Sequence, residues 1–324
     1  MQEIRRVCVT HTVYTLLQYL LLSSIEEIRH TFFFFAQFPP AYQEKLKTIF
    51  PNSTVYDFGR GKIIKSKYLQ GYWWPFRKNR VWPFLKTAEI FAQDHLLVDF
   101  IILSGLQYKL LDDGMVIYSY KPETVSLKKR LKRLPFYPNG HYVWGYGPNC
   151  LLRYLTMKPH PDSPLLGKNN EYLDLIKLWQ TSEPEKKEFI LNFFSVETTD
   201  LEIFGRYENL LLTQCFSEIE MISEDAKMSC YRRIIEHYGL KPENTLIKTH
   251  PKETSDYRKY FPGFAVCSKP IPVELIAMQA NPPRRVFTVS SSGTFIFQQS
   301  EKVWCGHEFS PELKVRYGEC PSPF

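Results

Sequence analysis

Short apolar runs alternate with amphipathic segments along most of the chain, and this alternation constrains the fold more than any other feature. The first half contains the strand-like runs RVCVT, HTFFFFAQF, STVYDFG, LLVDFIILS and YKLLDDGMVIYSY. The second half contains NLLLTQ, NTLIKTH, FAVCS and RRVFTVSSS, interleaved with the helix-like segments EDAKMSCYRRIIEHYGL and PVELIAMQ. Strands that alternate with helices in this way form parallel sheets covered by helices. The sequence therefore predicts an α/β protein.

The length of the chain predicts two such domains. A chain of 324 residues exceeds the roughly 250–300 residues that one hydrophobic core usually serves. The stretch MKPHPDSPLLGKNN, residues 157–170, is rich in Pro, Gly and Asn, a composition typical of a linker. We therefore predict two Rossmann-like domains, residues 1–156 and 171–300, that face each other across a cleft, followed by a tail over residues 301–324.

The N-terminal segment and the cysteines bear on the compartment. The apolar run over residues 13–22 is far shorter than the ~20 residues of a membrane span, and no small-residue cleavage site follows it. We expect a strand from Arg6 to Thr10, a turn at His11 and Thr12, and then a buried helix. Seven scattered cysteines without a CxxC pair indicate a reducing compartment and argue against a zinc knuckle. A cytoplasmic protein is predicted.

A histidine–proline pair closes the strand-like run NTLIKT. Ligands of open α/β sheets bind outside the carboxyl ends of strands, so His250 should lie at a ligand site, with Pro251 holding it extended. An imidazolium there can bind a phosphate or donate a proton to a leaving phosphate oxygen. For an isolated pair, a histidine that merely ends a strand and hydrogen-bonds locally is the favoured interpretation. A second pair, His160 and Pro161, has no preceding strand and is interpreted as structural.

Two further segments of the second half support a nucleotide site beside His250. Glu274 begins the helix-like segment PVELI, where a carboxylate can accept hydrogen bonds from a ribose hydroxyl pair. Ser290, Ser291 and Ser292 end the run RRVFTVSSS, and hydroxyl and N–H groups at a strand-to-helix turn bind anions. For a serine run alone, a helix cap is the favoured interpretation. Successive strand ends that carry His, Glu and Ser together predict a nucleotide-phosphate site.

Paired carboxylates in the first half are candidates for a general base. Asp112 and Asp113 end the apolar run YKLL before Gly114. Adjacent, buried carboxylates raise one another's pKa, so that one of them can accept a proton near neutral pH. An Asp-Gly hairpin turn is the alternative interpretation, and by itself the motif does not decide between them.

The ordered set of motifs resembles a known family. DDG, then HP, then a Ser-Ser pair forty residues later is similar to the motif order of bacterial sialyltransferases. VCVTHTVYTLLQYLL, LLLTQCFSE, YRRIIEHYGL and LIKTHPKETSDYRKYFPGF resemble glycosyltransferase family 52, and the resemblance extends over about residues 5–295. That family includes the lipooligosaccharide and capsule sialyltransferases of bacteria. The resemblance implies a GT-B fold, an enzyme, and an inverting transfer of sialic acid from CMP-sialic acid to a galactose-type hydroxyl of such a glycan.

The resemblance also implies residue roles. Asp113, beside Asp112, would deprotonate the acceptor, and His250 would assist the departing CMP. Nucleotide binding would fall to residues that flank the HP pair or follow strands: Lys248, Pro251, Glu274, Ser290, Ser291, Ser292 and Thr12. The chain departs from the family where KTHP replaces KPHP, and where CFSEIE lacks an expected proline and second acidic residue. Some members place the base in that loop, so Glu218 is the alternative base. The tail would return to the first domain.

The expected chemistry requires no cofactor. CMP is a good leaving group, and His250, the serine hydroxyls and helix N-termini can meet its developing charge without a metal ion. Consistently, no DxD motif that would hold a divalent ion stands out in the sequence. We expect neither a metal nor another cofactor.

The chain carries a formal charge of +7, part of it in two basic and aromatic segments, residues 71–86 and 126–137. Such segments suit an anionic membrane surface, here the inner face of a bacterial cell membrane, or an acceptor site where rings stack on sugars. A solvated basic face over a Trp-rich core is the alternative, and nucleic acid is disfavoured because no RNA-binding motif is present. The surface or acceptor residues predicted here are Trp73, Trp74, Arg77, Lys78, Arg80 and Trp82.

Two other functions remain open at the level of sequence. Another GT-B transferase, using a UDP-sugar or a CDP-polyol donor, would also place His and Ser around a phosphate. A non-catalytic, membrane-associated assembly subunit is the non-enzymatic alternative, although DDG, HP and the serine run are all intact. A lipid-linked, galactose-terminated acceptor is expected for the transferase, and a homodimer is compatible with the sequence.

Overall fold

The computed structural model describes residues 3–36, 40–56, 78–94, 99, 102–114, 117–118, 145, 149–159, 163 and 165–322. The chain divides into two compact units, Met1–Phe193 and Phe194–Phe324, each built on one parallel sheet. The α/β prediction is therefore confirmed. The division falls within the chain well after residues 157–170, where the sequence predicted the linker.

The first unit contains a seven-stranded parallel sheet of order β3-β2-β1-β4-β5-β6-β7. Its strands are β1 Arg6–Thr10, β2 Thr31–Ala36, β3 Ser53–Tyr56, β4 Glu89–Ala92, β5 Tyr108–Leu111, β6 Cys150–Leu155 and β7 Asn170–Tyr172. Its helices are α1 Val13–Leu22, α2 Ile25–Arg29, α3 Pro40–Ile49, α4 Leu175–Gln180 and α5 Pro184–Phe194, the last of which reaches the boundary. A 3-10 helix spans Pro83–Lys86.

The phenylalanine run of β2 shows why this sheet is covered on both faces. Alternate side chains of a strand point to opposite faces. Phe33 and Phe35 lie on one face, where their rings are 4.4 and 5.8 Å from that of Phe50. Phe34 lies on the other, edge-on to Trp82 at 4.7 Å. A strand that is apolar at every position is typical of a parallel sheet between two helical layers.

The strand predictions of the first half need two corrections. The run LLVDFIILS was predicted as a strand, but its described residues Asp99, Ile102 and Leu103 are helical. The strand instead is β4, which pairs with β1 in the centre of the sheet. The edge strand β7, which pairs with β6 and overlaps the predicted linker only at Asn170, was missed. A short apolar run does not distinguish a buried helix from a buried strand, and pairing with β1 decides it here.

The second unit contains a five-stranded parallel sheet of order β10-β9-β8-β11-β12. Its strands are β8 Asn209–Leu212, β9 Thr245–Lys248, β10 Ala265–Cys267, β11 Arg285–Thr288 and β12 Glu301–Trp304. Its helices are α6 Thr198–Glu202, α7 Glu224–His237, α8 Tyr257–Tyr260, α9 Val273–Ala277 and α10 Pro311–Tyr317, with 3-10 helices at Ile203–Arg206 and Ser292–Ile296. The four strands and two helices predicted for this half are all present.

The tail is an integral part of the second unit. Its strand β12 pairs with β11, and Leu313 of α10 is completely buried in the core of that unit. The indole Nε1 of Trp304 donates a hydrogen bond of 3.0 Å to the carbonyl of Cys320. The apolar side chains of this segment complete the second core, and its return to the first domain stays a prediction. No helix among the described residues is long and apolar enough to span a bilayer.

Candidate active site

Each sheet has one point at which the strand order reverses. In the first unit this point lies between β1 and β4, and in the second it lies between β8 and β11. Loops leave neighbouring strands in opposite directions there, which opens a crevice at the carboxyl edge where α/β proteins bind ligands. Most of the residues predicted from the DDG, HP and Ser motifs follow strands at these two carboxyl edges.

A glutamine bridges the reversal point in each unit. Gln93 follows β4, and its Oε1 accepts the backbone N–H of His11, which follows β1, at 2.6 Å. Gln214 follows β8, and its Oε1 accepts the backbone N–H and the hydroxyl of Ser290, which follows β11, at 2.9 and 3.1 Å. Neither glutamine was singled out from the sequence.

Asp112 serves the structure of the first unit. Its buried carboxylate accepts hydrogen bonds from the amide of Gln18 at 2.9 Å and from the N–H and hydroxyl of Thr156 at 2.7 and 2.8 Å. The hydroxyl of Tyr118 also donates to it. These hydrogen bonds connect the end of β5 to α1 and to the end of β6. The Asp112 carboxylate therefore stabilises the carboxyl edge of the first sheet.

Asp113 is the candidate general base of the DDG motif. Burial raises the pKa of Asp113 to about 6, while a hydrogen bond from Thr12 and the nearby His11 act to lower it. The Thr12 hydroxyl donates to Oδ1 of Asp113 at 3.0 Å and also accepts the N–H of Thr15, which makes Thr12 the N-cap of α1. Thr12, predicted to bind nucleotide, therefore contacts the candidate base.

Sequence reasoning missed two buried acidic side chains of the first unit, Asp99, whose charge acts on Asp113, and Asp94. His11 Nε2 is 2.6 Å from Oδ1 of Asp99, and both side chains are almost fully buried. Asp94 accepts the Tyr108 hydroxyl at 2.6 Å, and burial raises the pKa of Asp94 to about 7. Asp99 was missed because the run LLVDFIILS was predicted as a buried strand, whereas Asp99 is helical and lies beside His11.

His250 follows β9 by two residues and is held by its own loop. Its backbone N–H donates to Oε2 of Glu253 at 2.6 Å, and its Nδ1 accepts the backbone N–H of Lys252 at 3.1 Å. A neutral ring with Nδ1 as acceptor carries its proton on Nε2. Burial lowers the pKa of His250, and the charges of Lys252 and Lys248 lower it further, so the neutral ring predominates near pH 7. Pro251 is exposed.

Lys248 and Glu274 interact electrostatically. The Lys248 side chain is buried, its ammonium donates to the carbonyl of Thr249 at 2.8 Å, and burial lowers its pKa. Glu274 lies in the first turn of α9, and burial raises the pKa of Glu274 to about 7 although Lys248 acts to lower it. Lys248 is thus largely enclosed, whereas Glu274 as a whole residue is half-buried.

The serine run forms a turn. Ser290 is joined to Gln214, and the Ser291 side chain caps the 3-10 helix by accepting the N–H of Gly293 at 3.3 Å. Ser292, the first residue of that helix, is exposed. The helix-cap interpretation holds for Ser291, whereas an anion site at Ser290 and Ser291, where β11 ends at the reversal point, stays a prediction.

Glu218, the alternative base, is bound up in an ion-pair cluster. Its carboxylate lies 3.1 and 3.0 Å from the ammonium of Lys227 and accepts the N–H of Thr254 at 2.9 Å. Burial acts to raise the pKa of Glu218, but the Thr254 hydrogen bond and Lys227 outweigh it and lower the pKa to about 2. A carboxylate held in this way is a poor proton acceptor near neutral pH.

The predicted basic and aromatic surface is only partly described. Trp73, Trp74, Arg77, the second HP pair and residues 126–137 lie outside the described residues. Arg80 is exposed. Two members are corrected: Lys78 is buried and donates to the carbonyls of Ile102 and Ser104, and Trp82 packs against the core of the first unit. Among the residues with described placement, no cluster of three His, Cys, Asp or Glu is arranged to hold a metal ion.

Two sequence comparisons found proteins similar to this chain. The model of glycosyltransferase family 52 matches residues 85–305. An uncharacterized protein of Haemophilus influenzae is 26% identical over 234 residues, which is 72% of this chain and 73% of that protein.

Solved structures share the fold. The Photobacterium sp. JT-ISH-224 2,6-sialyltransferase, in a complex with CMP and lactose, aligns over 90% of this chain and 69% of its own with a TM-score of 0.59 and 14% identity. The GT-B domain of the Photobacterium damselae sialyltransferase aligns over 92% of this chain and 89% of its own with a TM-score of 0.55 and 14% identity. The GT-B fold class predicted from the sequence is thereby confirmed.

Proposed function

The chain belongs to glycosyltransferase family 52, and on that premise we propose that it is an inverting sialyltransferase. The donor is CMP-sialic acid, and the acceptor is a galactose-type hydroxyl of a lipid-linked bacterial capsule or lipooligosaccharide glycan. The observation that carries the proposal is Asp113, which follows β5 at the carboxyl edge of the first sheet, accepts the Thr12 hydroxyl at 3.0 Å, and has its pKa raised by burial to about 6. The CMP and lactose bound by the structurally similar Photobacterium enzyme support this class of donor and acceptor.

Asp113 is the general base of the proposed reaction. A carboxylate with a pKa near 6 is largely ionised at pH 7 yet basic enough to take a proton as a new bond forms. The acceptor oxygen bonds to the anomeric carbon, the bond from that carbon to the phosphate oxygen breaks, and the electron pair leaves with CMP. The acceptor proton passes to Asp113. A single displacement converts the β linkage of the donor to an α linkage.

His250 assists the leaving group. Because Nδ1 is occupied by the N–H of Lys252, the proton of the neutral ring is on Nε2, and this N–H can donate to a phosphate oxygen of CMP. The Ser291 hydroxyl supplies a further donor, Ser290 supplies one when its hydroxyl turns from Gln214 to the phosphate, and Glu274 accepts from the ribose hydroxyls. The Nε2–H of His250 and the serine hydroxyls stabilise the negative charge that develops on the departing phosphate. We propose that no metal ion takes part.

The first experiment measures CMP release from CMP-sialic acid by the purified protein, with and without lactose and in the presence of EDTA. We expect release that lactose stimulates and EDTA leaves unchanged. Asp113→Asn and His250→Ala should each lower kcat by about 10²–10⁴-fold. Glu218→Gln, the matched carboxylate change, should lower it far less.

The outcomes separate the competing functions. Loss of activity in Glu218→Gln but not in Asp113→Asn would transfer the role of base to Glu218. Thermal stabilisation by UDP or CDP, but no reaction with CMP-sialic acid, would instead favour the UDP-sugar or CDP-polyol transferases. No response to any nucleotide would leave the assembly-subunit function.

A further inference from the structure

The loop that carries His250 is closed by one buried carboxylate that sequence reasoning did not single out. The Glu253 side chain is fully buried, and its Oε2 accepts the N–H of His250 at 2.6 Å and the hydroxyl of Thr213. Its Oε1 accepts the hydroxyl of Tyr257 at 2.5 Å. The N–H of Glu253 in turn donates to the carbonyl of His250 at 2.9 Å. Residues 250–253 therefore form a closed turn around this carboxylate.

A buried ammonium ties that turn to helix α7. Lys227 is completely buried, and its Nζ lies 3.6 Å from Oε1 of Glu253 and 3.0 Å from Oε2 of Glu218. It also donates to the hydroxyl of Ser255, and Glu218 accepts the N–H of Thr254. The loop from residue 250 to residue 255 is thus anchored at both ends to a single charge.

The groups around Glu253 hold its side chain in place. Its carboxylate accepts the hydroxyls of Thr213 and Tyr257 and the N–H of His250, and Nζ of Lys227 lies 3.6 Å from Oε1. A buried polar group is costly unless it keeps its partners, so loss of Lys227 should displace this side chain. The bond from the His250 N–H to Glu253 therefore depends on Lys227.

We propose that Glu253 is a positioning residue for His250, and that Lys227 holds the Glu253 side chain where it can do this. The proposal rests on the function proposed above. Glu253 does not reach substrate in this scheme. It fixes the backbone of His250 so that Nδ1 meets the N–H of Lys252, which leaves the proton on Nε2 to face the leaving group. The other charged groups that act on the ring are Lys248, Lys252 and Glu218.

The test uses Glu253→Gln, Lys227→Met and Lys227→Arg in the full chain. The control is Asn209→Ala. Asn209 is the first residue of β8, so it lies at the amino ends of the strands, away from His250. It is buried and accepts a hydrogen bond of 2.9 Å from Arg285. Two kinds of measurement are made below the melting temperature of every variant. These are the imidazole ¹⁵N shifts of His250, which report the tautomer, and kcat and KM for CMP-sialic acid.

We expect a single Nε2-protonated tautomer in the wild type and in Asn209→Ala, and a mixture in Glu253→Gln and Lys227→Met. The same two variants should lose about 10²-fold in kcat with KM changed by less than about twofold, since a small misplacement of a reacting group has an effect of that size. Lys227→Arg, which keeps the charge, should recover the wild-type tautomer. If Glu253→Gln does not fold, Thr213→Val, which removes one donor to Glu253, should show a smaller change in the same direction.

A wild-type tautomer and kcat in Glu253→Gln, or in Thr213→Val where that variant replaces it, would overturn the proposal. An equal loss of kcat in Asn209→Ala would do so too, because general weakening of the second unit would then explain the loss. Full activity in His250→Ala would refute the proposed function instead. The tautomer measurement would still report whether Glu253 orients the ring.

Discussion

The hydrogen bond from Thr12 to Asp113 allows the role of the base to be tested without removing the base. The Thr12 hydroxyl donates to Oδ1 of Asp113 at 3.0 Å, which favours the ionised carboxylate. Hydrogen bonds to charged groups contribute about 1.5–3 kcal/mol, and one pKa unit corresponds to 1.36 kcal/mol. Removing this donor in Thr12→Val should therefore raise the pKa of Asp113 by about one unit or more.

The sign of the effect on rate follows from the role. A general base works only when deprotonated, so kcat falls as the pH drops through its pKa, which is about 6 in the wild type. In Thr12→Val this acidic limb should move to higher pH, near 7 or above. The rate at high pH should stay close to that of the wild type, because the carboxylate itself is present.

The assay is the pH dependence of kcat for CMP release with saturating lactose. Thr12→Ser is the matched control, since serine keeps both the hydroxyl donor and the acceptor that caps α1. Thr12→Val also loses the cap, which should lower the free energy of unfolding by about 1 kcal/mol without moving the limb. An acidic limb that stays in place in Thr12→Val, or that moves equally in Thr12→Ser, would refute the assignment of Asp113 as base.

Three further predictions concern structure and location. Asp112→Asn should lower the free energy of unfolding by about 2 kcal/mol in urea titrations, because buried donors such as the Thr156 N–H lose their carboxylate; unchanged stability would contradict its structural role. Burial lowers the pKa of Lys78 from 10.5 to about 8. Between those pH values Lys78 binds more protons in the unfolded chain than in the folded one, so the free energy of unfolding should rise with pH, by at most about 1.4 kcal/mol per pH unit. Lys78→Met should remove that rise in thermal unfolding experiments. The protein should sediment with anionic but not with neutral lipid vesicles, and about 1 M salt, which shortens the Debye length to about 3 Å, should release it; salt-insensitive sedimentation would argue against electrostatic attachment.

Continuous apolar runs made much of the fold predictable. β1, α1 and all the inner strands of the second unit are runs whose residues are buried on both faces, which the sequence displays directly. β4 and β7 have four and three residues and include Glu89 and Glu171, so their strand character depends on neighbours far away in the chain. The run LLVDFIILS is apolar enough for either structure, and the partner of β1 decided against it.

The candidate site was predictable where chemistry follows a strand in the sequence. Asp113 and His250 come directly after β5 and β9, and Ser290 comes soon after β11. Glu253 and Gln214 were not predictable, because their importance depends on groups brought to them by folding. The ammonium of Lys78 shows the converse, since a lysine amid basic and aromatic residues reads as surface but is buried against two carbonyl groups.

The backbone amides that the two bridging glutamines bind can report when each sheet is formed. The N–H of His11 and the N–H of Ser290 each bond to a glutamine 82 and 76 positions away in the chain. These bonds exist only when strands that are remote in sequence already lie side by side. Deuterium uptake at the two amides should therefore be slow, and each amide should exchange only when its own sheet opens as a whole. The two positions would let the unfolding of the two halves be timed separately within one intact molecule.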